Sequence, residues 1–212
     1  MPATITCQRA VDAMGAFERL GGDVIVKPLF GSEGFGMMRI SDGDLARRAF
    51  AALERVQSVI YVQRFVPHGG GTGAGTGGGT GGGDLRLFVI DGQVTAAMRR
   101  TADDWRTNIA CGGRGEPFDP DAALRDLAVR AAAACDAVVA GVDLLIGDDG
   151  DVFVLEVNAS PGWQALSAVT GVDIAARIIA CVERRVAEAM MPAADATTSA
   201  TMSGATPGAS HG

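Results

Sequence analysis

The stretch 152–163, VFVLEVNASPGW, constrains the fold more than any other. Its Val, Phe and Leu residues suit a buried strand, yet Glu156 and Asn158 stand inside it. Strand side chains alternate, so Glu156 and Asn158 share one face with Val152 and Val154. The preceding AGVDLLIGDDGD carries turn residues at 148–151, so 140–158 reads as a hairpin. In a regular pairing Leu145 faces Val154 and Asp143 faces Glu156. Two carboxylates and one amide then converge. Inside a core they repel or stay unsatisfied unless something positive lies between them. Hard oxygen ligands suit Mg²⁺, which keeps waters and draws its other ligands from substrate phosphates. An exposed polar hairpin face is the alternative, and spacing alone leaves both open.

The rest of the chain alternates short strands and helices. Residues 7–20 read as a helix, with Ala10, Ala13, Met14 and Phe17 at helical spacing. A buried strand, GGDVIVKPL, follows, and then a glycine-rich turn into a strand at Met37–Ile40. Asp42 or Asp44 caps a helix over 45–57, and SVIYVQRFV is the next strand. DLRLFVIDGQVTAAMRR is a hairpin turning at Asp91-Gly92. DWRTNIACGGRGEPF reads as an irregular polar loop. Two helices complete the pattern. One spans 121–139, with Leu124, Leu127, Ala131, Cys135 and Val138 on its core side. The other spans 172–190, with Ile174, Ile178, Val182 and Val186 one turn apart.

Two segments lack this patterning. Residues 69–83 contain only Gly, Thr and Ala and read as an expanded flexible loop, with a mobile lid as the alternative. From Met191 onward the chain is mostly Pro, Ala, Thr, Ser and Gly, and reads as a disordered tail.

Two further features bear on chemistry. In VIVKPLFGSEGFG, Lys27 ends a strand before a Gly-Ser-Gly turn. Backbone N–H groups of such turns can approach phosphate oxygens, although a plain hairpin turn fits equally. The glycines lead into a strand and no Gly-Lys-Ser/Thr follows, so this is neither a dinucleotide fingerprint nor a Walker loop. The second feature is a set of arginines: Arg86 among apolar neighbours, Arg99 and Arg100 at a strand end, and Arg106 beside Asn108. An arginine at an apolar position needs an anion, either a substrate or a structural carboxylate.

The totals exclude several classes. The chain has 212 residues and a net charge of −7, which argues against a nucleic-acid surface. Its four cysteines form no C-x-x-C pair, and two histidines, His68 and His211, complete no zinc site at the usual spacing. No apolar run approaches the roughly 20 residues that span a bilayer. The expectation is a cytoplasmic protein with free thiols and no membrane partner.

Taken in order, these words resemble the ATP-grasp superfamily, specifically the RimK-type α-L-glutamate ligases. They are Lys-Pro with a glycine loop, D-x-R, W-R-T-N before G-G-R-G, G-V-D and E-V-N-x-S-P-G. The resemblance covers about residues 3–190. It implies an α+β fold, with two subdomains of mainly antiparallel sheet enclosing ATP. The small subdomain would span 1–66, the glycine-rich loop 67–83, the large subdomain 84–190 and the tail 191–212.

The resemblance also assigns roles. Lys27 would bind ATP phosphates under a flap carrying Gly31, Ser32, Gly34 and Gly36. Gln63, Arg64, Phe65 and Val66 would form the adenine hinge, and Asp84 would contact the nucleotide. Arg86, Arg106 and Asn108 would face phosphates and the reacting acyl group. Asp143, Glu156 and Asn158 would hold Mg²⁺, with Mn²⁺ as the alternative ion. The implied reaction joins a carboxylate acceptor to a glutamate-like amine through an acyl phosphate.

Three departures stand out. Arg64 replaces a common hinge glutamate, the glycine tract replaces a short connection, and the chain opens almost at the small subdomain, without the family's N-terminal domain. The last creates the expectation of an incomplete site, weak turnover and self-association. A non-catalytic nucleotide-binding fragment is therefore the second hypothesis. A metal-dependent hydrolase built on Asp143 and Glu156 is the third.

Overall fold

The computed structural model describes residues 1–29, 35–68, 83–102, 105–107 and 112–191. The flap residues Gly31, Ser32 and Gly34, together with Asn108, residues 69–82 of the glycine tract and the tail from 192, lie outside the described residues.

The N-terminal part is a four-stranded antiparallel sheet with two helices on one face. Its strands are β1 (Thr4–Cys7), β2 (Val24–Lys27), β3 (Met38–Ile40) and β4 (Ile60–Arg64), in the order β1-β4-β2-β3. The helices are α1 (Ala10–Arg19) and α2 (Gly43–Arg55). Alternation decides the packing: Val24, Val26, Ile60 and Val62 enter the core with Ala13, Phe17 and Phe50. Ile25 and Lys27 face the other way. Asp42 caps α2 by accepting from the Leu45 N–H at 2.7 Å. The expected helix over 7–20 starts only at Ala10. The β-branched Thr4-Ile5-Thr6 run ahead of it pairs with β4 instead, Ile5 opposite Val62.

The second part is a five-stranded antiparallel sheet, fully covered on one face and partly covered on the other. Its strands are β5 (Asp84–Ile90), β6 (Gln93–Thr101), β7 (Arg114–Pro117), β8 (Val139–Ile146) and β9 (Val152–Asn158), in the order β7-β6-β5-β8-β9. α3 (Ala122–Ala134) packs on one face against Leu85, Leu87, Val142 and Leu144. α4 (Gln164–Thr170) and α5 (Ile174–Met190) cover part of the other, where Phe88, Ile90 and Met98 meet Leu166 and Ile174. The open end of that face carries Asp84, Arg86, Arg100 and Asp143. The fold is α+β, as expected.

Several local readings change. β7 lies inside the expected polar loop, where Arg114–Pro117 pair with the end of β6. α3 stops at Ala134 because Asp136 takes a left-handed conformation, φ 52°, that ends the helix. Its buried positions run Leu124, Ala128, Ala132, so Cys135 and Val138 face outward. α5 begins at Ile174 and buries Ile174 and Cys181, whereas Val182 and Val186 are exposed.

The most consequential change is in β9. The register slips between Asp143↔Glu156 and Leu144↔Val154, leaving Leu155 as an extra residue. Leu145 therefore pairs with Phe153, not Val154. The bulge sends Val154 to the α3 core beside Val157, while Leu155 and Glu156 both line the opposite face. β9 is also an edge strand of intermediate burial, not a buried one.

No single helix among the described residues is long and apolar enough to cross a membrane.

Phe50 is fully buried, so Phe50→Ala should cost about 3–5 kcal/mol by urea denaturation. Val186→Ser should change stability by less than about 0.5 kcal/mol. A large loss from Val186→Ser would mean that α5 is covered in solution.

Candidate functional site

The uncovered faces of the two sheets bound a cleft of about 630 Å³. From the small sheet come Ile25, Lys27 and Gln63; from the large one come Asp84, Arg86, Arg100 and Asp143. β9 adds Leu155, Glu156 and Asn158. Of the sequence-predicted residues, Lys27, Gln63, Arg64, Phe65, Val66, Asp84, Arg86, Arg106, Asp143, Glu156 and Asn158 all line this one cleft. Gly36 is placed but does not line it; its positive φ of 78° sets the turn into β3.

The floor is an ion-pair quartet. Strand alternation and register place Asp84 opposite Arg100 and Arg86 opposite Asp143. Arg86 donates from Nε and Nη2 to Asp143 Oδ1 and Oδ2 at 2.7 and 2.8 Å. Arg100 donates to both oxygens of Asp84 and, at 2.8 Å, to Asp143 Oδ2. Arg100, Asp84 and Asp143 are only 4%, 3% and 4% exposed, so these charges would be untenable singly. Burial pushes the Asp143 carboxyl up, but Arg100 and Arg86 outweigh it and hold the pKa below the ordinary value. Burial likewise opposes the Arg100 charge, and Asp143 and Asp84 overcome it, raising that pKa. The positive partner demanded by the buried acid is thus Arg86 with Arg100. The sequence marked Arg86 as anion-facing; Arg100, at a strand end, gave no comparable sign of burial.

Glu156 sits opposite Asp143, and Asn158 opposite Gly141. Glu156 is exposed, and its carboxylate has no hydrogen-bond partner among the described residues. Asn158 Oδ1 accepts from the Ser160 N–H at 2.8 Å. Gly141 leaves room for this corner, since a Cβ there would lie 2.9 Å from Pro161 Cβ. Gly83 has a similar function at the start of β5, where a Cβ would come within 2.1 Å of the Arg100 carbonyl oxygen.

A test of the donor set supports a hard cation here, although the described residues contain no cluster of three or more His, Cys, Asp or Glu ligands. Glu156 offers a full carboxylate, and Asn158 Oδ1 keeps a second lone pair. Asp143 Oδ2 accepts two hydrogen bonds and Oδ1 one, which leaves one lone pair on Oδ1. The set fits a Mg²⁺ that draws several ligands from water or phosphate.

Across the cleft, burial pushes the Lys27 pKa down, opposed by the charges of Glu156 and Asp143. At the hinge, the Arg64 N–H donates to Ala3 O at 2.8 Å and the Phe65 N–H to Asp23 O at 3.0 Å. The Gln63 side chain donates to Thr4 Oγ1 at 2.9 Å. The Val66 N–H has no hydrogen-bond partner among the described residues. Phe35, Met37 and Trp105 supply apolar wall that the sequence reading did not single out.

Two outcomes follow. Arg100→Met leaves Asp84 without its partner and should cost about 3–5 kcal/mol by denaturant titration. Lys27→Met should raise the melting temperature of the ligand-free protein. The native pKa is below the unfolded value of 10.5, so the unfolded chain binds more protons between the two. Wild-type stability therefore rises with pH through that window, and the variant should lack the rise. Matching pH profiles would show that Lys27 carries no burial penalty.

Comparison with known proteins agrees with this geometry. Residues 2–182 match the RimK-like ATP-grasp domain. The chain is 35% identical over 180 residues to the tetrahydromethanopterin:alpha-L-glutamate ligase of Methanococcus maripaludis, covering 84% of this chain and 58% of that one. It is 38% identical over 166 residues to a "Probable alpha-L-glutamate ligase" of Thioalkalivibrio sulfidiphilus, covering 77% and 51%. It thus spans little more than half the length of these relatives. Among solved structures, the ATP-grasp ligase PsnB, complexed with a phosphomimetic variant of a minimal precursor, Mg and ADP, superposes with a TM-score of 0.65. Identity there is 22%, over 88% of this chain and 54% of that one. D-cycloserine synthetase DcsG superposes with the same score at 21% identity, over 88% and 65%. The two facing sheets, the cleft between them and the matched sequence lead to one conclusion: the chain belongs to the RimK-like ATP-grasp family.

Proposed function

We propose that this chain is the nucleotide-binding and ligating part of an ATP-dependent carboxylate–amine ligase that uses glutamate as the amine. The observation that carries the reading is the opposition of Lys27 to Glu156, Asn158 and the Asp143–Arg86 pair across one cleft. A cation on one wall and hard oxygen donors on the other suit a polyphosphate. Val66 offers an N–H to a base, and Phe35 and Met37 add apolar wall. In the reaction, an acceptor carboxylate oxygen attacks the γ-phosphorus and ADP leaves. The amine nitrogen then attacks the acyl carbon, phosphate leaves, and the amine proton passes to solvent. This chemistry needs positioning and charge neutralisation more than a side-chain nucleophile.

The residues divide the work. Lys27 and Arg106 hold phosphate charge, with Asn108 proposed beside them. Glu156, Asn158 and the remaining Asp143 lone pair would hold Mg²⁺, whose chemistry is neutralisation of the transferring phosphoryl group. Arg86 keeps Asp143 ionised and oriented. The engagement of Asp143 by two arginines favours one second reading, nucleotide binding without turnover.

Calorimetry with ATP and Mg²⁺ tests the binding half. Glu156→Gln should weaken Mg²⁺-dependent ATP binding by tenfold or more with the melting temperature retained, and Lys27→Met should weaken it comparably, order-of-magnitude figures for one lost charge contact. Unchanged binding in both would remove these residues from the site. Glutamate-dependent phosphate release, with hydroxylamine trapping of an acyl phosphate, tests the ligation half. Tight ATP binding without release or trapping, across a panel of carboxylates, would select the second reading.

A further inference from the structure

His68 follows the hinge and lines the cleft, its ring 5.8 Å from that of Phe65. Its Nδ1 lies 2.8 Å from the Val66 carbonyl oxygen and its Nε2 3.3 Å from the Trp105 carbonyl oxygen. A carbonyl oxygen only accepts, so each contact needs an N–H on the ring. Neutral imidazole has one N–H and imidazolium has two. Both contacts are hydrogen bonds together only when the ring is protonated. In the neutral ring one nitrogen lone pair faces a carbonyl oxygen, which is repulsive, and the longer contact to Trp105 is the one to open.

We propose that His68 is a positioning residue, tying the hinge to the segment 105–107 when protonated and releasing it when neutral. The inference rests on the reading of the cleft as a nucleotide site. The two carbonyls belong to residues that matter there: Val66 carries the hinge N–H that has no partner among the described residues, and Trp105 precedes Arg106 in the cleft wall. The tie therefore sets how far Arg106 stands from the hinge.

The surrounding charges are mixed. The Arg39 guanidinium of β3 lies 3.5 Å over the Phe65 ring, and that of Arg106 lies 5.6 Å from the Trp105 ring. Arg64 ends β4 and Asp84 opens β5. From the β8–β9 turn, Asp148 reaches the neighbouring Pro67 carbonyl through its backbone N–H at 2.9 Å. Lys27, Arg86, Arg100, Asp143 and Glu156 line the same cleft.

The test compares wild type with His68→Gln, which keeps an amide donor and does not titrate, and with His68→Phe, which keeps a ring. Emission of Trp105 in a Trp163→Phe background is followed without nucleotide from about pH 5.5 to about 8.5, spanning the range where imidazole changes charge. Wild type should show a one-proton transition that both variants lack. Calorimetry with ADP and Mg²⁺ at the two ends should show wild-type affinity falling about fivefold more than that of His68→Gln, the worth of one net hydrogen bond. Ring-nitrogen NMR of wild type, which needs no variant, should show two N–H groups at the acid end and one at the alkaline end. An identical emission transition in His68→Gln, or a single ring N–H throughout, would overturn the proposal. If no protein binds nucleotide while the wild-type emission transition stands alone, the nucleotide reading fails and the tie remains.

Discussion

The quartet of Asp84, Arg86, Arg100 and Asp143 is the constraint on which the site depends. Four charges lie on one sheet face, three of them nearly inaccessible to water. Each is tolerable only because the others are present. Their sum is zero, so the floor of the cleft presents rigid dipoles and not a net field. The unbalanced charges sit at its rim, where Lys27 and Glu156 belong to different sheets. The quartet thus separates two tasks: it holds three strands in register and leaves the rim groups to deal with whatever enters.

Much of this was readable from strand alternation. Asp84, Arg86, Asp143, Glu156 and Asn158 are polar residues at positions where apolar neighbours define a strand, and a period of two assigns them to one face. The starts of α2, α3 and α5 were readable too, because Asp42, Asp121 and Asp173 each cap a helix through a hydrogen bond to a backbone N–H. Less accessible was whatever depends on partners distant in sequence. Arg100 looks like the polar end of a strand until Asp84 and Asp143 are placed beside it. α4 begins at Gln164 after Trp163, which makes no side-chain cap, so no local signal announces it. The second half of α5 keeps a core-like apolar stripe whose Val182 and Val186 are exposed, and periodicity alone cannot report which turns of a helix are covered.

His68 illustrates a third kind of limit. As a lone histidine it completes no metal site, and the sequence offers no reason to single it out. Its interest arises from two carbonyl oxygens, one from the hinge and one from residue 105, which the fold brings to opposite sides of one ring. Backbone groups carry no signature in the residue alphabet, so a site built on them is invisible before the chain is folded.

The bulge at Leu155 has a consequence for how densely a strand can be furnished. A regular strand offers one side chain to a given face for every two residues, about 6.6–6.8 Å of chain. By absorbing one residue out of phase, β9 places Leu155 and Glu156 side by side on the cleft and still returns Val157 to the α3 core. An apolar surface and a carboxylate then adjoin on a single short edge, a juxtaposition that a regular strand would need a neighbouring element to supply. The spacing of E-V-N relative to Val154 is therefore a two-phase code, legible only if the reader shifts frame by one residue partway along.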